Sequence, residues 1–197
     1  MIFDYPDQRG QRRHGPLGYA SYESYRPWLR DEFDFRCLYC LKRETWGHVT
    51  GEFDLDHFEP QSVNPLRRLD YLNLVYACRR CNSVKRDQTV GDPFNLLHSG
   101  NVAVRLDGSL QASDPETRRL ILQLDLNSPR LKMWRNMWVR IVTLAEKQDA
   151  DLYCQLVGFP NDLPNLSKLE PPYNHRNEGL EESWFARRRR GELPNVY

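Results

Sequence analysis

Five cysteines punctuate the chain, and four of them form two pairs at metal-ligand spacing, Cys37-Leu-Tyr-Cys40 and Cys78-Arg-Arg-Cys81. Each pair presents two thiolates from one tight turn, and together they complete a tetrahedral four-sulfur zinc site. Four thiolates leave no open position on the ion, so its expected role is that of a scaffold. The 37 residues between Cys40 and Cys78 exceed the span of a compact zinc ribbon and must carry structure of their own. They hold Asp56-His57, a hard oxygen ligand beside an imidazole that accepts a proton near neutral pH. Asn73 precedes the second pair, Asn82 follows Cys81 directly, and Lys85 comes three residues later. Zinc would pin Asn82 near the start of a helix, facing the end of the strand that carries Asp56.

The elements that must position these groups can be read from periodicity. Tyr22, Tyr25, Trp28, Leu29 and Phe33 recur at helical steps over 21–35, with Pro27 near the start, which predicts a helix beside the first cysteine pair. Phe53 and Leu55 alternate with Asp54 and Asp56 as in a half-buried strand ending near Pro60, and Leu72 to Ala77 makes a second strand. A helix is expected to open beyond Cys81, giving strand, loop, strand, helix. Val102, Val104 and Leu106 run to the turn Asp107-Gly108 and return from Ser109, a hairpin. Ser113-Asp114-Pro115-Glu116 and Asn127-Ser128-Pro129 cap two further helices. The second should turn Leu131, Trp134, Trp138, Ile141, Val142 and Ala145 inward and Lys132, Asn136, Arg140 and Lys147 outward. The expected organisation is an arm at 1–20, a core at 21–92, a hairpin with a helical appendage at 93–156, and a proline-rich wrapping tail at 157–197.

Composition narrows the class. A chain of 197 residues, 40% apolar, suits one domain with appended segments and excludes wholesale disorder. Mean hydropathy is −0.74 and no apolar run nears the length of a membrane span. No basic stretch followed by an apolar core opens the chain, and a cytoplasmic setting is expected. The net charge of +1 announces no nucleic-acid binder, although 23 of the 28 basic residues are Arg, suited to phosphate or to a GC-rich genome. Basic residues concentrate locally, six against two acidic over 60–90 and seven against two over 117–147. His48, His98 and His175 have no ligand-spaced partners, Cys154 reads as a buried small hydrophobe, and Arg187 to Arg190 reads as a solvated run.

Cys37-x-x-Cys40, Asp56-His57-x-x-Pro60, Asn73-Leu74 and Cys78-x-x-Cys81-Asn82-x-x-Lys85 together resemble the HNH nucleases in order and spacing at eleven positions. The resemblance spans about 33–88 and implies an α+β fold with a ββα-metal core. It departs from the family at Asn82, where His is frequent, giving an H-N-N form like that of RNA-guided CRISPR nucleases. Asn supplies a neutral oxygen, which suits Mg²⁺ or Mn²⁺. By resemblance, His57 would activate water, while Asp56 and Asn82 hold the divalent ion. Asn73 would orient the His57 loop, and the DNA would be left with 5′-phosphate and 3′-hydroxyl ends. Lys85, with Arg79, Arg80 or Arg86, would contact phosphates, though the three arginines read equally well as solvated side chains. Glu59 reads as a polar surface residue.

Thr117 to Leu131 resembles the segment that trails the HNH core in bacterial anti-phage defence nucleases, including the nuclease subunit of Septu systems and retron-associated relatives. That implies an ATPase partner. Two copies or two successive nicks would be needed to cut both strands, which suggests a homodimer as the other partnership. Two alternatives stand beside this reading: a restriction or mobile-element endonuclease, and a non-catalytic zinc module binding nucleic acid or protein.

Overall fold

The computed structural model describes residues 2–5, 12–46 and 52–197; His48 lies outside these. The fold is α+β, with three two-stranded antiparallel sheets among the described residues and a helical second half. Strand β1, Pro16–Leu17, pairs with β6, Tyr173–Asn174, tying the two ends of the chain together. The described part of the N-terminal segment is therefore not an arm. Phe3, Tyr5, Arg12 and His14 are all buried, and Phe3 packs edge-on against Trp46 and Trp134. The apolar residues of this segment, such as Phe3, Tyr5 and Leu17, carry no periodicity, and their partners lie far along the chain, so local pattern could not show this packing.

Ser21 caps a short 3-10 turn, Tyr22–Tyr25, which runs into helix α1, Arg26–Glu32, where Pro27 takes a first-turn position that needs no N–H partner. The first cysteine pair follows, and then the hairpin of β2, Phe53–His57, and β3, Leu74–Cys78. Its register places Asp56 opposite Val75 and His57 opposite Leu74. Helix α2, Arg79–Lys85, starts at once from Cys78, earlier than expected, because the two residues inside the Cys78–Cys81 pair already take helical conformation. Asn82 thus lies in its first turn.

A short helix α3, Pro93–Leu97, leads to the hairpin of β4, Val102–Val104, and β5, Leu110–Ala112. Gly108 sits at its tip with φ +81°, where an added Cβ would lie 2.3 Å from the Lys132 carbonyl oxygen. Helix α4, Pro115–Gln123, is capped by Asp114, which accepts from the Thr117 N–H at 2.8 Å. Helix α5, Pro129–Gln148, buries Leu131, Val142 and Ala145, but also Arg135, whose guanidinium donates to the Gly108 carbonyl at 2.9 Å. Ile141, expected inward, is exposed, as are Met133, Met137 and Leu144.

Helix α6, Ala150–Val157, turns Val157 inward and leaves Cys154 exposed, contrary to expectation, because only one edge of this helix meets the core. Helices α7, Glu178–Glu181, and α8, Trp184–Arg190, return the chain to α1, with the Trp184 N–H donating to buried Asp31 at 2.9 Å. Among the described residues, no helix is long and apolar enough to cross a membrane.

Candidate active site

The four cysteines converge as their spacing demands. Cys37 and Cys40 sit in a tight turn closed by the Leu41 N–H to the Cys37 carbonyl at 2.9 Å, while Cys78 ends β3 and Cys81 lies in the first turn of α2. All four are buried, and their sulfurs lie within 4.8 Å of one another. Cys40 and Cys78 Sγ are 3.7 Å apart, close to the edge of about 3.8 Å that a tetrahedron of Zn–S bonds requires. Among the described residues this is the only group of three or more His, Cys, Asp or Glu gathered so closely. The donor set fits a zinc ion in chemistry and in size.

The cluster locks α2 across one face of β2. Asp54 and Asp56 share that face because strand side chains alternate, and Asn82 and Lys85 share the facing side of α2 because they are three apart. The pairing is one to one. Asn82 Nδ2 donates to Asp54 Oδ2 at 3.2 Å, and Lys85 Nζ donates to Asp56 Oδ1 at 3.0 Å. Both members of the first pair are partly open to solvent, while Asp56 and Lys85 are buried.

This arrangement corrects two expectations. Lys85 has no ammonium to offer a phosphate: it is enclosed by the Asp56 carboxylate, the His57 carbonyl at 2.7 Å and the Arg86 carbonyl. Nor is Asp56 an open ligand beside Asn82, since the Tyr39 hydroxyl occupies its other oxygen at 2.5 Å. Burial raises the Asp56 pKa, with Lys85 and Tyr39 opposing the rise. The carboxylate facing Asn82 is Asp54. Its signal in the sequence was its place two residues before Asp56, on the same strand face.

His57 ends β2 with both ring nitrogens engaged. Nε2 lies 2.8 Å from the Arg68 carbonyl oxygen, and Nδ1 lies 3.2 Å from the Gln61 side-chain amide. A carbonyl only accepts, so Nε2 carries the proton and Nδ1 presents its lone pair, facing the amide of exposed Gln61. Burial lowers the His57 pKa below its ordinary value, which keeps this lone pair free at neutral pH. Tyr22 packs edge-on against the ring, centroids 5.1 Å apart.

Asn73 is buried and closes the base of the loop that supplies Arg68. Its Oδ1 accepts from the Glu59 N–H at 3.0 Å, and its Nδ2 donates to the carbonyls of Glu59 at 3.0 Å and Arg67 at 3.3 Å. Glu59 itself is taken up by Arg67 at 2.6 Å and Asn64. Arg79 and Arg86 are exposed, Arg79 three residues before Asn82 on the same side of α2 and Arg86 just past the helix's C-terminus. Arg80 points elsewhere, pairing with Asp125 at 2.9 Å and with Ser128. Gln61 and the Arg68 carbonyl were not foreseen, since a loop backbone atom has no residue type to betray it.

Residues 37–88 match the family model for HNH endonuclease. No curated protein and no solved structure matches the chain. The HNH segment contains both cysteine pairs, β2, β3 and α2, along with each residue described above from Asp54 to Arg86. It implies metal-dependent nuclease activity.

Proposed function

We propose that the protein hydrolyses DNA phosphodiester bonds with His57 as general base and a zinc-stapled ββα unit as its frame. The observation that carries this reading is the His57 ring, fixed by Arg68 with its basic Nδ1 toward a side chain that solvent or substrate can displace. A water in the place of the Gln61 amide would give its proton to Nδ1 as it attacks phosphorus. Asn73 acts through the loop, keeping the Arg68 carbonyl where it selects the tautomer. Exposed Arg79, one turn before Asn82 on α2, and exposed Arg86, just past the end of α2, would hold phosphates beside the scissile one.

Two oxygen-bearing side chains where α2 crosses β2 fit a divalent ion. Asp54 and Asn82 are partly exposed hard donors, enough for Mg²⁺ or Mn²⁺, which keeps several waters and takes only one or two protein ligands. Bound there, the ion would supply charge stabilisation for the oxygen that departs. Asp56 is assigned to positioning, joined through Lys85 to the His57 carbonyl.

The resemblance of 117–131 supports service as an anti-phage defence effector beside an ATPase partner. Its apolar Leu120, Ile121 and Leu124 are core residues, as any packed helical appendage would make them. Purified protein with supercoiled plasmid and Mn²⁺ tests the chemistry. Wild type should nick, and His57→Ala should be slower by about a hundredfold or more while keeping its fold and zinc. Equal rates would remove His57 from the reaction.

A further inference from the structure

Away from His57, the zinc-bearing turns and α5 enclose a groove of about 1110 Å³ whose lining is mainly apolar. Met133 and Met137 stand exposed along one wall at 71% and 48%, beside the half-buried indoles of Trp134 and Trp138. Trp138 stacks on Trp46 at 4.3 Å and 7°, which holds that indole rigid. A monomer has no packing reason to leave two methionines and two tryptophans in one concavity.

The charge around the groove selects the occupant. Lys42 and Arg80 are spent on Glu52 and Asp125, respectively. Arg79 of α2 and Arg130 of α5 also line the groove, are exposed, and pair with no acidic side chain among the described residues. Arg140 and Lys147, also exposed, continue the positive side of α5. A second copy of this face would set like charges against each other. Rigid aromatic and thioether surfaces flanked by unpaired arginines suit a flexible polyanion with flat apolar faces, which is an unpaired nucleic-acid strand. Duplex DNA could not place its bases against Trp134 or Trp138, because they are stacked within the helix.

We propose that this groove binds a single-stranded stretch of nucleic acid, bases against Trp134, Trp138, Met133 and Met137 and phosphates on Arg79 and Arg130. The inference rests on the nuclease reading for its biological sense and deepens it. Arg79 belongs both to the groove and to the open side of α2, three residues and about 4.5 Å of helix rise from Asn82, so a strand leaving the active site meets the groove next. The favoured substrate would then be a junction or partly unwound duplex rather than an uninterrupted one.

The test is binding of a fluorescent oligothymidylate of about 12 nucleotides to the full chain in EDTA-free buffer with Ca²⁺, followed also by tryptophan emission. Expected are quenched emission, affinity at least about tenfold above that for a duplex of equal length, and a steep loss with salt. Arg130→Glu and Met137→Glu alter exposed side chains, should leave melting unchanged, and should each weaken strand binding by about tenfold or more. Unchanged binding in both variants, equal affinity for duplex, or self-association through this face in light scattering would each overturn the proposal. Plasmid nicking by wild type beside His57→Ala reports separately: strand binding by a wild type that does not cleave would retire the nuclease reading alone, and cleavage with indifferent groove variants would retire this one.

Discussion

Lys85 Nζ lies 3.0 Å from Asp56 Oδ1, and both side chains are shut away from solvent in the heart of a site that is expected to work on charged substrate. A buried pair of this kind contributes little beyond what apolar neighbours would give, but removing one member strands the other. Lys85→Met should therefore cost about 3–5 kcal/mol in urea denaturation at pH 7. The deficit should shrink as pH falls, because the Asp56 pKa, already raised by burial, climbs further without Lys85 and the folded variant takes up a proton before the unfolded chain does. Adding Asp56→Asn should recover part of the loss. A cost under about 1 kcal/mol would mean the ammonium is not enclosed as described.

With His57 as the proposed general base, the state of its ring would set the pH profile of cleavage. Its pKa is depressed by burial, more than the Arg68 carbonyl and Asp56 can offset, and general-base chemistry needs the neutral ring. The rate should climb with pH through an acid limb below 6.5, the ordinary value for His, and be flat by pH 7. Initial nicking rates in Mn²⁺ measure this directly. A limb centred above 7 would assign the titration to another group.

Much of the site was legible in the sequence, and the reason is local. Cysteine spacing sets the two turns, alternation puts Asp54 and Asp56 on one strand face, and the three-residue step from Asn82 to Lys85 puts both on one helix face. What sequence could not settle was which acid meets which helix residue. That choice depends on how α2 lies along β2, and a shift of two strand residues, about 7 Å, exchanges Asp54 for Asp56 opposite Asn82. Lys85 misled for a related reason: lysine is so seldom buried that a basic residue beside a nuclease motif reads as a phosphate contact. Trp184 against Asp31 and β1 against β6 join residues about 150 apart, where no periodicity reaches.

His98 supplies a stability test independent of catalysis. It is buried on α3's C-terminal side, stacked on Phe94 at 5.4 Å and edge-on to Tyr5, and burial pulls its pKa from 6.5 down to about 4. Well above pH 6.5 neither folded nor unfolded chain holds a proton there, so His98 contributes no pH dependence. As pH falls from 6.5 toward 4, the unfolded chain is protonated and the folded one is not, and stability declines, by about 3 kcal/mol once both limits are passed. The window lies above that of most carboxylates, so it can be separated from general acid unfolding. Denaturation midpoints between pH 7 and 4.5 should fall for wild type and fall distinctly less for His98→Phe, which keeps the ring contacts and loses the titration. Parallel declines would place the proton uptake elsewhere.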